Sequence, residues 1–226
     1  NIGQPDLPTP QKALDVLSKI DRNTLEYSPS QGYRSLRQAL VGYYERYQIK
    51  LNADEIIITS GGSEAVLFAF MSCLNPGDEI IVPEPAYANY MSFAISAGAV
   101  IRTVTTTIDE GFCLPKVEKF EELINERTKA ILICNPNNPT GALYPKEVLQ
   151  KIVDLAREHH LIIFSDEIYD RLVMDGKEHI SIASLAPDLF CVTFSGLSKS
   201  HMIAGFRIGW MVLSGNKAIA KDYIEG

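Results

Sequence analysis

The chain has 226 residues, which is enough for one large α/β domain with a sizeable buried core. It carries 21 Lys and Arg against 28 Asp and Glu, a formal net charge of −7, which argues against non-specific binding to nucleic acid or to an anionic membrane and favours small molecules as partners. No apolar run approaches the roughly 20 residues that a transmembrane helix needs.

The two ends of the chain indicate a piece of a longer protein. The chain starts at Asn1 without a Met, and it stops near Tyr223 within what reads as the start of a helix. A truncated chain could also have lost a leader sequence. We therefore expect the natural protein to be longer.

The cysteines are widely spaced and form neither a Cys-x-x-Cys pair nor a cluster with His at metal-ligand spacing, so no metal site is predicted. Their mostly apolar neighbours indicate reduced thiols in the core of a cytoplasmic protein. The four residues are Cys73, Cys113, Cys134 and Cys191.

Short β-branched runs alternate with longer helical patterns, which predicts a three-layer α/β/α fold with a mostly parallel seven-stranded sheet. The predicted strands are Glu55–Thr59, Glu79–Val82, Val100–Thr105, Ala130–Cys134, Leu161–Ser165, Phe190–Ser195 and Ile208–Leu213. The predicted helices lie near Leu36–Tyr47, Glu64–Cys73, Tyr87–Ala97, Lys116–Leu123 and Lys146–His160.

The Pro-rich opening Gly3–Pro10 cannot be a helix or a central strand, so it is predicted to be an extended arm that acts as a linker or a lid. We assign residues 1–20 to an N-terminal arm and residues 21–226 to one ligand-binding domain. In a sheet of this kind, ligands sit at the carboxyl ends of the strands. Polar clusters that follow a strand are therefore the candidate site residues.

The first such cluster joins the first predicted strand to a helix through Gly61, Gly62 and Ser63. Glycines let backbone N–H groups close around an anion, and the helix N-terminus adds a favourable dipole, so the loop is a candidate phosphate site. The alternative is that Ser63 only caps the helix. The loop is neither a Walker loop nor a Gly-x-Gly-x-x-Gly dinucleotide fingerprint.

Two further clusters follow the second and fourth predicted strands. Tyr87 comes after a proline-bounded turn and could stack its ring on a flat heteroaromatic ligand, although an aromatic here could also be plain core. Two Asn-Pro steps within Asn135–Gly141 predict a specific turn that leaves the Asn138 side chain free to donate to a ring hydroxyl. A merely structural turn is the alternative.

Asp166 comes directly after the fifth predicted strand, where an unpaired buried carboxylate would cost several kcal/mol. A protonated pyridine nitrogen would satisfy this carboxylate, and the carboxylate in turn would keep that nitrogen protonated. Tyr169 follows on a turn and could point to the same ligand. The alternatives for Asp166 are a helix N-cap and a metal ligand, and no His-rich partner supports the metal.

The sixth predicted strand leads into Ser195-Gly196-Leu197-Ser198-Lys199, and Arg207 follows eight residues later. This places an amine that could form a Schiff base beside two hydroxyls and a guanidinium suited to a phosphate. Pyridoxal 5′-phosphate needs both kinds of partner at once. Lys199 is therefore the candidate cofactor lysine.

With these motifs in this order, nearly the whole chain resembles the class I/II pyridoxal-phosphate-dependent aminotransferases of fold type I. The resemblance implies that Lys199 forms the Schiff base, that Asp166 pairs with the ring nitrogen and that Tyr87 stacks on the ring. It further implies that Tyr169 and Asn138 hold the ring oxygen. The implied phosphate ligands are Gly61, Gly62, Ser63, Arg207 and either Ser195 or Ser198.

The resemblance also implies a homodimer with shared sites, since Tyr27 matches the family tyrosine that reaches the neighbouring subunit's phosphate. The chain departs from the family at Gly196, where the family often has Ser. It also lacks the C-terminal small domain, where the family carries its arginine for the substrate carboxylate.

The stretch from residue 185 to residue 213 is similar to bacterial alanine aminotransferases, whereas the first half is closer to aspartate or aromatic members. The implied substrates are an L-amino acid and a 2-oxo acid, with alanine or glutamate and pyruvate or 2-oxoglutarate favoured. An aspartate or aromatic aminotransferase, a C–S β-lyase on the same scaffold and a non-catalytic regulatory domain are the alternatives. A nicotinamide dehydrogenase is disfavoured because no dinucleotide fingerprint follows the first strand.

Overall fold

The computed structural model describes residues 3–21, 23–221 and 224. Residues 222, 223, 225 and 226, where the sequence predicts the start of a helix, lie outside the described residues, as do residues 1, 2 and 22. Within the described part, one sheet is formed by β1 (Ile56–Thr59), β2 (Glu79–Glu84), β3 (Val100–Thr105), β4 (Thr128–Cys134), β5 (Ile162–Asp166), β6 (Phe190–Gly196) and β7 (Gly209–Gly215).

The strand order across the sheet is β1-β7-β6-β5-β4-β2-β3. β7 is antiparallel to both of its neighbours, and the other strand pairs are parallel. The predicted mostly parallel sheet is therefore confirmed, with strand ends that differ from the prediction by one or two residues. β1, β2, β4, β5 and β6 all point the same way, so their carboxyl ends meet at one edge.

The helices are α1 (Gln11–Leu17), α2 (Arg34–Glu45), α3 (Gly62–Cys73), α4 (Asn89–Ala97), α5 (Glu118–Glu121), α6 (Lys146–Glu158) and α7 (Leu197–Ser200). Short 3₁₀ turns cover Ala53–Glu55, Ile108–Glu110, Ile182–Leu185, Ala204–Phe206 and Lys217–Ala220. The five predicted helices are present as α2 to α6. α1 was not predicted, because its apolar residues remain exposed and give no buried stripe.

Two apolar cores, one on each face of the sheet, make the predicted three layers. β4 contributes side chains to both cores. Ile131 and Ile133 point to the core beneath α2 and α6, while Leu132 points to the core beneath α3 and α4. Side chains alternate along a strand, so an unbroken apolar run is buried on both faces. Each fully buried Ile or Leu contributes about 1.5 to 3 kcal/mol relative to an exposed one.

The opening segment from Gly3 to Pro10 contains no helix or strand, as the prolines predict. Thr9 Oγ1 donates to the Met202 carbonyl at 2.8 Å, which fixes the arm beside the carboxyl edge of the sheet. The division into an arm of residues 1–20 and one domain over 21–226 stays a prediction.

All four cysteines are free. Three are buried as expected, but Cys113 is exposed, so its assignment to the core was wrong. The reason is local: Cys113 follows the tight turn at Gly111 in the surface connection from β3 to β4. Among the described residues, no helix is long and apolar enough to span a membrane.

Candidate active site

A cavity of about 320 Å³ lies at the carboxyl edge of the sheet. Most of the residues that the sequence singles out line it: Gly62, Ser63, Tyr87, Asn138, Asp166, Tyr169, Ser195, Ser198, Lys199 and Arg207. Gly3 and Gln4 of the arm line it as well, which the sequence did not predict. Gly61 lies behind the cavity against Arg207, whereas Tyr27 is fully exposed and does not line it.

The loop after β1 is held in a form that opens towards the cavity. Gly61 adopts φ +89°, and a Cβ there would collide with the Arg207 guanidinium. Thr59 Oγ1 donates to the Gly61 carbonyl at 3.0 Å, and the Ser60 N–H donates to Glu64 Oε2 at 2.6 Å. The Glu64 N–H donates to the Gly61 carbonyl at 3.2 Å, whereas the amides of Gly62 and Ser63 have no acceptor within the helix and are available to an anion in the cavity.

Ser63 does not cap α3, so the capping alternative was wrong. The N-cap position is Gly61, no side chain caps the helix, and Ser63 lies inside the first turn. Within the described part of the chain its hydroxyl has no hydrogen-bond partner. Because the residue lines the cavity, that hydroxyl is free to donate to a bound group.

Two further glycines, which were not predicted as site residues, allow backbone segments at the site to pack closely. Gly209 faces Thr59 in the β1–β7 pairing, and a Cβ on it would overlap the Gly61–Gly62 peptide. At Gly196 a Cβ would lie 2.8 Å from the Ile208 carbonyl oxygen, so no side chain fits. The close approach of two backbones therefore favours glycine at both positions.

Lys199 lies on α7, directly after β6, and its Nζ donates to the Gly3 carbonyl of the arm. Burial lowers the pKa of the Lys199 amine, the neighbouring Arg207 lowers it further, and Asp166 partly offsets both. A lower pKa leaves more of the amine neutral, which is the form that attacks a carbonyl or accepts a proton.

Arg207 has φ 53°, in the left-handed region that residues other than glycine adopt only rarely. Its Nη1 donates to the Ala204 carbonyl at 3.0 Å, and its Nη2 lies 3.4 Å from the Ser60 carbonyl oxygen. These contacts direct the guanidinium to the start of α3, where it and the helix amides converge on the same space.

The two serines before Lys199 differ in their partners. Ser195 Oγ lies 3.5 Å from the Glu167 carbonyl oxygen, a long hydrogen bond. The Ser198 hydroxyl has no partner among the described residues, although the residue is nearly buried and lines the cavity. Ser198 is therefore the freer donor of the two.

Asp166 lies at the inner wall of the cavity, with 9 % of its surface exposed. Tyr90 donates its hydroxyl to Asp166 Oδ2 at 2.5 Å, and the Ile168 N–H donates to Oδ1 at 3.2 Å. Burial raises the pKa of the Asp166 carboxyl, while these two hydrogen bonds lower it. No Lys, Arg or His of the described residues forms an ion pair with this carboxylate.

The two alternative readings of Asp166 find no support. The Ile168 N–H bond closes a turn rather than a helix, so Asp166 is not a helix N-cap. Among residues 3–21, 23–221 and 224, no group of His, Cys, Asp and Glu is arranged to hold a metal ion.

Three polar side chains complete the wall. Tyr87 is half-buried and packs edge-on against Tyr90, with ring centroids 5.3 Å apart. Asn137 holds the turn after β4 by accepting from Thr140, and the side-chain amide of Asn138 has no hydrogen-bond partner among the described residues. Tyr169 lies on a turn as predicted, and burial raises its pKa to about 12, which keeps its hydroxyl a donor.

A buried polar network behind β5 was missed by the sequence analysis. Glu167 accepts from Ser165 and Ser181 at 2.8 Å each and lies 3.1 Å from His179 Nε2. It fixes the backbone that carries Asp166. The adjacent acids in the sequence were its only signal, because its partners come from distant segments.

The whole chain is similar to known proteins that share a reaction class. The model for "Aminotransferase class I and II" matches residues 1–223. The chain belongs to the class I and II aminotransferase family. It is 43 % identical to glutamate-pyruvate aminotransferase AlaA of Haemophilus influenzae and 39 % identical to an alanine aminotransferase of Mycobacterium bovis, in each case over 100 % of this chain.

A solved structure gives the same result for the fold. An aminotransferase from Escherichia coli superposes on 99 % of this chain with a TM-score of 0.94 at 40 % identity. The chain spans 57 % of the Haemophilus relative, 54 % of the Mycobacterium relative and 56 % of the Escherichia structure. The family resemblance inferred from the motifs and the type I fold are thus confirmed.

Proposed function

We propose that the full-length protein is a pyridoxal-phosphate-dependent aminotransferase that exchanges amino groups between alanine or glutamate and pyruvate or 2-oxoglutarate. The observation that supports this most directly is one cavity that holds an amine of lowered pKa, a buried carboxylate and a guanidinium beside a helix start. The names of the two relatives, glutamate-pyruvate and alanine aminotransferase, favour these substrates over aspartate.

The residues present fit pyridoxal 5′-phosphate. Asp166 is buried without a cationic partner among the described residues. A protonated ring nitrogen would offset the free-energy cost of burying this carboxylate. Asn138 and Tyr169 offer free donors for the ring oxygen, and Tyr87 offers a ring face. The first amides of α3, together with Ser63, Ser198 and Arg207, would hold the phosphate.

The cofactor, when bound, supplies a carbonyl that combines with amines and an electron-poor ring that withdraws charge from the substrate Cα. The chain's own contribution would be acid–base chemistry at Lys199, whose Nζ would accept the proton from the substrate Cα and return a proton to the carbon that carried the cofactor's carbonyl oxygen. Its lowered pKa suits this role, since the neutral amine must be present near neutral pH. Asp166 contributes by keeping the ring nitrogen protonated.

The proposed assembly is a homodimer in the cytoplasm. Tyr27 is fully exposed in the single chain, as a residue that serves a neighbouring subunit would be. Phe68 and Met71 on α3, and Met91 and Ile95 on α4, are exposed apolar pairs on two helices that pack together. Such a surface is typical of a subunit interface. Four free cysteines suit a reducing compartment.

The test is amino-group transfer by the full-length protein. We expect alanine and 2-oxoglutarate to give pyruvate and glutamate in equal amounts, with no reaction when either substrate is omitted or when Lys199→Ala is used. Ammonia and pyruvate released from a β-substituted amino acid without a 2-oxo acid would show the lyase instead. Cofactor binding without turnover of any amino acid would favour the regulatory domain.

A further inference from the structure

Tyr90 is a buried residue behind the cavity that contacts two of the side chains lining it. It is 1 % exposed, and it lies on α4, three residues after Tyr87. Its hydroxyl donates to Asp166 Oδ2 at 2.5 Å, and its ring meets the Tyr87 ring at 5.3 Å and 87°. It does not line the cavity, so it cannot act on a ligand directly.

We propose that Tyr90 is a positioning residue that fixes the Asp166 carboxylate for a cationic ring nitrogen and supports the Tyr87 ring against the same ring. This rests on the proposed function, because it assumes a ligand with a protonated aromatic nitrogen. Asp166 ends β5 and Tyr90 lies in the first turn of α4, so the hydrogen bond joins the sheet to the helix layer at the site.

The hydrogen bond is placed to control the charge of Asp166. Burial disfavours the carboxylate, and the neighbouring Glu167 disfavours it further. The Tyr90 hydroxyl is the largest influence that favours it, followed by the Ile168 N–H and then by Lys199. The other titratable groups that face Asp166 are the buried thiol of Cys134 and the phenol of Tyr169, both with raised pKa.

The Tyr90 phenol stays protonated, and so remains a hydrogen-bond donor, at neutral pH. Complete burial raises the pKa of Tyr90, and the Asp166 charge raises it further. The proton therefore stays on Tyr90 and points at Asp166. Without it, the Asp166 carboxylate would keep the Ile168 N–H as its one direct donor among the described residues. A neutral Asp166 could no longer pair with a protonated nitrogen.

Tyr90→Phe separates the two roles because it removes the hydroxyl and keeps the ring. The probe is 4′-deoxypyridoxine 5′-phosphate, which has the ring nitrogen and phosphate but no aldehyde, so Lys199 cannot bond to it. We expect its dissociation constant for the full-length protein to rise about tenfold at neutral pH, and the acid limb of the binding curve to move up by about one pH unit. The acid limb moves to higher pH because Asp166 binds the cation only when it is ionised, and loss of the Tyr90 hydroxyl makes it ionise at a higher pH.

Two variants make the test specific. Tyr44→Phe also removes a buried tyrosine hydroxyl, one that accepts from Trp210 Nε1 at 2.8 Å, but it lies away from the cavity, so we expect its binding curve to match the wild type. Asp166→Asn should remove the acid limb, and adding Tyr90→Phe to it should cause no further loss. A further loss in that double variant would overturn the proposal, because Tyr90 would then act without Asp166.

A 3-fluorotyrosine in place of Tyr90 keeps the shape and makes the O–H more acidic, so it serves if Tyr90→Phe does not fold. We expect it to move the acid limb to lower pH, the opposite direction. If the acid limb of the binding curve is unchanged in whichever variant folds, the proposed role of Tyr90 is refuted and the proposed function is not affected. Failure of the wild type to bind the probe would overturn the proposed function as well.

Discussion

At the scale of single residues, the site depends on backbone that lies too close for side chains. Gly209 of β7 lies directly under the Gly61–Gly62 peptide. Gly205, four residues earlier, has nothing within 4 Å of its own Cβ position. Gly205 lies exposed in the 3₁₀ turn before Arg207, whereas Gly209 is buried in β7, so Gly205 is a nearby control site where a methyl group meets nothing.

We predict that Gly209→Ala weakens the binding of pyridoxal 5′-phosphate by tenfold or more (about 1.4 kcal/mol) because the loop after β1 must move away from Arg207. Gly205→Ala should leave binding unchanged. The measurement is the cofactor dissociation constant of the full-length protein. Equal constants for the two variants would show that the loop tolerates the shift.

Arg207 should hold a phosphate as a forked donor, which an ammonium cannot reproduce. We therefore expect Arg207→Lys to raise the cofactor dissociation constant by about tenfold or more. Arg157→Lys is the control. Arg157 lies near the end of α6 and forms surface ion pairs with Asp154 and Asp188. If the two variants bind cofactor equally well, Arg207 is an ordinary surface residue.

Lys199 should be the lysine that combines with the cofactor. Burial and Arg207 lower its pKa, so its neutral fraction at a given pH exceeds that of an exposed lysine. We expect brief treatment with pyridoxal 5′-phosphate at about pH 7.5, well below the usual lysine pKa of about 10.4, to label Lys199 after borohydride reduction. Peptide mapping that finds the label on another lysine would refute the assignment.

At the scale of elements, the network of Glu167, His179 and Asp170 stabilises the turn after β5. Asp170 accepts from Tyr43 and from Tyr47, the latter at 3.0 Å, which ties the turn to α2. Burial alone would lower the pKa of His179, but Glu167 and then Asp170 raise it above its ordinary value. His179 is therefore a source of pH-dependent stability.

A histidine whose pKa is raised by folding stabilises the fold fully below its unfolded pKa of about 6.5, and the effect is lost as pH rises through the folded value. We therefore predict that His179→Asn costs the most stability at acidic pH, about 3 to 5 kcal/mol as for a broken buried pair, and less as pH rises. Urea unfolding of the full-length protein at several pH values measures this. The exposed His160, changed to Asn, should show no such trend.

The sequence predicts the strands well because each is a short apolar run closed by a polar turn. It also locates Asp166, Asn138 and Lys199, since each follows a strand whose carboxyl end reaches the same edge. It could not predict that Tyr90 meets Asp166, because that pairing depends on how α4 packs on the sheet. The exposure of Cys113 was missed for the same reason, because local pattern does not report tertiary burial.

At the scale of the whole molecule, one chain supplies almost every predicted cofactor contact but leaves Tyr27 outside the cavity. This chain spans 57 % of its Haemophilus relative. A site that takes Tyr27 from a second subunit would be complete only in the assembled protein. That arrangement can be tested by mixing two variants of the full-length protein, without a structure of the dimer.

The last prediction is that two impaired variants of the full-length protein, when mixed, partly restore each other's activity. Tyr27→Ala weakens the phosphate contact, and Lys199→Ala removes the reactive amine, so each homodimer is impaired at both sites. In a mixed two-fold dimer, one site combines Lys199 of the first subunit with Tyr27 of the second and is intact, while the other site carries both changes. Random reassociation of equal amounts should therefore recover about a quarter of wild-type activity. Activity no greater than the average of the two variants would place Tyr27 in its own subunit's site or in none.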